Sequence, residues 1–172
     1  MRLLIVGGTI FLGRHLEIAA QSRDHEVTLF SRGQNKPHLY PDIEKLRWDR
    51  DGILIALQNR IWDTVIDICG YLPCIDKASA ELLAHAVDHC TFISSTSVYA
   101  DIRKPIIDEL GMLGVLERES VEGISGSAHR PHKILCEQTI DGIMSGRSLI
   151  IRPGLIVGPH DLSGAFALFV AK

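Results

Sequence analysis

Six short, apolar, β-rich runs recur along the chain: RLLIV (2–6), EVTLF (26–30), EKLRW (44–48), DTVIDIC (63–69), CTFISS (90–95) and SLIIR (148–152). Runs this short and this continuously hydrophobic suit strands buried on both faces, as in a parallel sheet. Helical periodicity fills the gaps, over 11–22, 52–59, 76–88 and about 128–144. Parallel neighbours cannot be joined by a tight hairpin, so each helix becomes a right-handed crossover. The alternation predicts an α/β domain built on a doubly wound parallel sheet. Six strands fit the order 3-2-1-4-5-6. The stretch 101–125 lacks periodicity and reads as a long excursion, a feature that more often serves function than packing.

A chain of 172 residues, 46% hydrophobic, supports one domain with a substantial core. With a net charge of −3 it offers no electrostatic basis for general binding to nucleic acid or anionic membranes. No apolar run approaches the ~18 residues of a membrane span. The opening MRLLIVGGTIFLG carries an apolar run behind one arginine. Glycines interrupt that run and no small-residue cleavage site follows, so it reads as strand and turn, not as a signal peptide. Cys69, Cys74, Cys90 and Cys136 show no C-x-x-C spacing, and two of them sit in apolar runs. They are expected to be reduced, mostly buried thiols of a cytoplasmic protein.

The segment Gly7-Gly8-Thr9-Ile10-Phe11-Leu12-Gly13 joins the first strand to the first helix. Glycines there let the backbone turn tightly and approach a pyrophosphate, and the helix N-terminus adds free N–H groups and partial positive charge. An ordinary strand–helix turn is the competing reading; the place of the motif after the first strand favours a dinucleotide. Strand two ends in Ser31-Arg32 with no carboxylate to hold ribose hydroxyls. Arg32, helped by Lys36, suits a 2′-phosphate, so NADP is expected ahead of NAD.

These motifs resemble the extended branch of the short-chain dehydrogenase/reductases, the NAD-dependent epimerase/dehydratase family. That branch opens with a strand and G-x-x-G-x-x-G; here Gly7 and Gly13 match, while Ile10 stands at the middle glycine. The opening is similar to a subgroup with G-G-T-x-F-[IL]-G that includes plant chloroplast stem-loop RNA-binding proteins. Asp49 resembles the family's adenine-contacting aspartate after strand three. Ser95, four residues before Tyr99, stands at the family's catalytic serine or threonine. Lys133 matches the lysine of Y-x-x-x-K, and Arg152-Pro153 with Gly158-Pro159 resemble the segment beside the nicotinamide.

The resemblance implies a Rossmann dinucleotide-binding domain over 1–158, with 159–172 as the start of a C-terminal substrate domain that is otherwise missing. It implies cofactor contacts from Gly7, Thr9, Ile10, Phe11, Leu12, Gly13, Ser31, Arg32, Asp49, Lys133 and Pro153. It also implies a small-molecule substrate such as a nucleotide sugar, and leaves oligomer formation open. Ser95, His129 and Lys133 take the catalytic places, but His129 stands where the family has tyrosine. An imidazole starts near ~6.5, and a neighbouring ammonium pushes it lower. Neutral His129 could accept a proton but is a poor donor, so it is either an altered acid–base residue or a lost one. Zinc at His129 and His132 lacks further ligands, and His85 with His89 lacks the glutamate of H-E-x-x-H and reads as a solvated helix face, so no metal is expected. Two classes remain open: an NAD(P)-dependent oxidoreductase, epimerase or dehydratase, and a dinucleotide-binding module without turnover, regulatory or RNA-associated.

Overall fold

The computed structural model describes residues 1–47, 49–52, 54–101, 103, 107–115 and 129–162, with the side chains of residues 129 and 130 left out. Trp48, much of the 101–125 excursion and the tail from 163 lie outside the described residues. Six strands, β1 (Arg2–Val6), β2 (Glu26–Ser31), β3 (Glu44–Arg47), β4 (Trp62–Asp67), β5 (Val87–Ile93) and β6 (Ser148–Ile151), form one sheet. All pairings are parallel and the order is β3-β2-β1-β4-β5-β6, as the alternation predicts.

The alternation of side chains along each strand separates two cores. Leu3 and Ile5 of β1 join Val27 and Leu29 of β2, Ala20 of helix α1 (Leu12–Gln21) and Ile43 on one face. On the other face Leu4, Val6, Phe30, Val65, Cys90 and Phe92 pack against helices α2 (Pro73–Leu83) and α3 (His129–Met144), through Ala80, Leu83, Cys136, Ile140 and Met144. The central strands need apolar residues at every position because both faces are covered.

Three boundaries differ from the sequence-based expectation. The periodic stretch 52–59 forms only a short 3-10 turn, Leu54–Leu57. Helix α2 begins three residues early, because Pro73 occupies the first helical position, where a missing N–H is harmless. It also ends at Leu83, so His89 lies in β5 and not on a helix face. The competing signal was the strand alternation of VDHCTFI. Helix α3 stops where Ser145 and Gly146 both turn to positive φ, 47° and 79°.

Helix α1 carries one anomaly. Glu17 is 0% exposed, faces the sheet, and neither carboxylate oxygen has a partner in bonding geometry. Burial raises its pKa, and the nearby Tyr40 hydroxyl offsets this only in part. A carboxyl whose folded-state pKa is raised contributes stability below its ordinary value and loses it as pH rises through the folded value. Glu17→Met is therefore expected to gain about 1–3 kcal/mol at pH 7, with the advantage shrinking towards pH 4. Urea denaturation at both pH values checks this; an advantage independent of pH would mean that the carboxyl's charge is not the cause.

Candidate functional site

A cleft of about 640 Å³ opens at the carboxyl ends of β1, β2 and β4. Open parallel sheets bind ligands at such edges, where neighbouring connections run to opposite faces. Its floor is the turn after β1. Gly7 and Gly8 take φ of 106° and 117°, a region that side-chain-bearing residues avoid. A Cβ on Gly13 would stand 2.1 Å from Gly8 Cα, so the start of α1 lies directly on the turn. Phe11 caps α1 without a side-chain hydrogen bond, which leaves the first N–H groups of the helix without a side-chain cap. Ile10, 45% exposed, stands at the mouth, and Phe11, Leu12 and Gly13 also line the cleft, while Thr9 is buried and does not.

The far wall comes from the ends of β2 and β3. Ser31 Oγ accepts from the Gly33 N–H at 3.3 Å and so shapes the turn that presents Arg32. Arg32 is exposed and lines the cleft together with Gly33, Gln34 and Asn35. Asp49 is also exposed there, its Oδ1 accepting from the Asp51 N–H at 3.3 Å.

Arg50, which sequence reasoning passed over, organises the opposite wall. Its guanidinium donates to Asp67 Oδ1 at 3.0 Å and to Ser79 Oγ at 2.7 Å, and pairs with Asp76 Oδ1 at 3.1 Å. Burial works against the charge of Arg50, but Asp67 and Asp76 outweigh it and raise its pKa. Burial likewise pushes Asp76 up to about 6, against the pull of Arg50. Asp67 also accepts from the Cys69 N–H at 3.0 Å, so one ion cluster ties β4, the turn after it and α2 together. Cys69, Tyr71 and Leu72 of that turn face the cleft. Burial pushes the Cys69 thiol up to about 12, which makes it a poor nucleophile at neutral pH.

Ser95, Lys133 and Pro153 gather at the ends of β5 and β6, and none of them lines the cleft. Ser95 Oγ accepts from the Ser97 N–H at 3.1 Å at the head of a 3-10 turn, and the Thr96 N–H donates to Pro153 O at 2.9 Å. Lys133 is only 4% exposed; its ammonium donates to Ile93 O at 2.9 Å and lies 4.9 Å from the Phe92 ring centre. The Tyr71 ring, which does line the cleft, is 5.1 Å from the same ammonium. Burial lowers the pKa of Lys133, and Asp67 pulls the other way. His129 begins α3 one turn before Lys133, but its side chain lies outside the described residues.

Tyr99 is a packing residue. It is buried, and its hydroxyl accepts from Arg152 Nη1 at 3.2 Å. Arg152 in turn forks onto Glu137, with Nη2 to Oε2 at 2.8 Å. Beyond Arg152 the chain crosses to α1, where His15 Nε2 donates to Pro159 O at 2.9 Å. Among the described residues, no group of three or more His, Cys, Asp and Glu side chains is placed to hold a metal, no helix is long and apolar enough to cross a membrane, and all four cysteines are free.

No protein-family model matches the chain, and no curated protein sequence does. Solved structures do. The enzyme WbmH of Bordetella bronchiseptica, in complex with NAD+, is similar over 99% of this chain and 61% of its own, at 13% identity and a TM-score of 0.77. The likeness is one of fold. Yeast methylglyoxal/isovaleraldehyde reductase Gre2, complexed with NADPH, matches over 94% of this chain and 60% of its own, at 14% identity and a TM-score of 0.72. MoeE5 in complex with UDP-glucose and NAD matches over 93% and 56%, at 17% identity and 0.68. The chain thus has a Rossmann-like fold and spans 56 to 61% of the length of these three structures.

Proposed function

We propose that this chain binds a nicotinamide dinucleotide, prefers NADP, and turns it over weakly or not at all. The observation that carries the reading is the cradle at the end of β1. Two left-handed glycines, a helix N-terminus without a side-chain cap and a contact that tolerates no Cβ at Gly13 leave room for a pyrophosphate and donors to hold it. Arg32 presents a guanidinium where NAD-selective domains present a carboxylate, and Asp49, which lines the same cleft, is our candidate for the adenine contact. A bound nicotinamide would supply or accept hydride. Neutral His129 would accept a proton from a substrate hydroxyl, but is a poor donor to a developing alkoxide.

Titration of the purified chain with NADP+ and NAD+ tests the reading. Arg32→Ala should weaken NADP+ about tenfold and leave NAD+ nearly unchanged. Equal losses would reject the phosphate contact, and no binding of either dinucleotide would reject the reading as a whole. A second reading, an active enzyme on a nucleotide sugar, is favoured by the likeness to the complex of MoeE5 with UDP-glucose. Interconversion of NADP(H) in the presence of UDP-glucose would support it.

A further inference from the structure

The ends of β2 and β3 hold a second cation that the proposed NADP site does not yet use. The strands pair in register with Ser31 beside Arg47, so Arg47 leaves β3 alongside the turn that carries Arg32. Its stem runs against Gly33. A Cβ at that glycine would stand 3.0 Å from Arg47 Cδ and 3.3 Å from Cγ and Nε. Gly33 lines the cleft at φ 70°, so the bare turn leaves the stem of Arg47 close behind the cleft wall.

What separates Arg32 and Arg47 from the rest is the lack of a protein acceptor. Arg2 donates to Asp63, Arg60 to Glu44, Arg147 to Val87 O and Arg152 to Glu137. Arg32 and Arg47 show no hydrogen bond or ion pair among the described residues. A single exposed arginine is an ordinary solvated side chain. Two unpartnered guanidiniums leave adjacent strand ends with a glycine kept bare beside them, at a cleft that Asp49 and Asp51 also line. A guanidinium offers a rigid fork of donors, and two forks suit a dianionic phosphate monoester better than a neutral hydroxyl.

We infer that Arg47 is a specificity-determining residue, the second guanidinium of a clamp that Arg32 begins, and that the clamp takes the 2′-phosphate of an adenine nucleotide. The inference rests on the proposed NADP reading and adds a residue from a different strand. It predicts that selectivity for the 2′-phosphate is shared between β2 and β3, and that Arg32 alone supplies only part of it.

The test is equilibrium binding of two probes, adenosine 2′,5′-bisphosphate and adenosine 5′-monophosphate, which differ only in the 2′-phosphate. Arg47→Met should weaken the bisphosphate about tenfold and leave the monophosphate unchanged. Arg47→Lys, which keeps the charge and loses the fork, should fall between. Unchanged bisphosphate binding in Arg47→Met, with a loss in Arg32→Ala, would overturn the role of Arg47 and leave the NADP reading intact. Equal losses for both probes would also overturn it, because Arg47 would then support the cleft generally. If the unaltered chain binds both probes equally, the NADP preference fails and the clamp fails with it.

Discussion

Gly13→Val abolishes dinucleotide binding and destabilises the fold by about 3 kcal/mol or more; this is the expected result at the most crowded glycine of the site. A Cβ at Gly13 would stand 2.1 Å from Gly8 Cα and 2.7 Å from Gly8 C and N. These are backbone atoms that no rotamer change can move. The helix and the turn would have to separate, which would remove the surface on which a pyrophosphate rests. Gly7→Val acts differently. Its Cβ would meet Ile68 Cγ1 at 2.7 Å, the movable end of a side chain, but φ of 106° strains any side-chain-bearing residue. Calorimetric titration with NADP+ and a thermal melt of each variant check both. Normal binding by Gly13→Val would remove the loop from the site.

Arg50→Met is expected to cost about 3–5 kcal/mol at pH 7.5, because it leaves the buried carboxylates of Asp67 and Asp76 without their cation. The pH dependence identifies the cause. In the intact chain, burial already raises Asp76 to about 6, with Arg50 holding it down. Without that restraint the folded-state pKa rises further above its ordinary value. The stability the carboxyl group contributes is then present at low pH and lost as pH rises through the folded value. The deficit of the variant should be largest at high pH, shrink as pH falls towards about 6, and level off below that, where Asp76 is protonated in both proteins. Urea unfolding across this range measures it. A deficit that does not change with pH would place the cost in lost packing of the arginine stem instead.

The strand order was legible because β1, β2 and β4 carry apolar residues on both faces, and only interior strands of a wound sheet need that. The glycine turn was legible for a related reason: Gly7 and Gly13 answer to a local backbone demand that spacing reveals. Arg50 was not. It reads as one more charge in the polar turn RWDRD, and its partners Asp67 and Ser79 stand 17 and 29 positions away. No local pattern announces such a pairing, although three polar residues in largely apolar segments, Asp67, Asp76 and Ser79, were a sign that a cation had to reach them. The matching of Lys133 to a sequence motif likewise named the residue without its direction. Whether an ammonium faces a cleft or a carbonyl depends on how Phe92 and Tyr71 pack beside it.

The contact between His15 and Pro159 joins residues 144 positions apart. The central strand β1 is made first, yet one of its two neighbours, β4, begins only at Trp62. As the chain leaves the ribosome, β1 and β2 can pair early, with one side of β1 still open. That edge stays exposed until β4 emerges, and helix α1 gains its contact with Pro159 only when the segment after β6 arrives. Long-range pairings of this kind slow folding, because a large loop must close before any contact rewards it. The helix that leaves the proposed nucleotide cradle is therefore tied down by a segment that follows it by 144 positions.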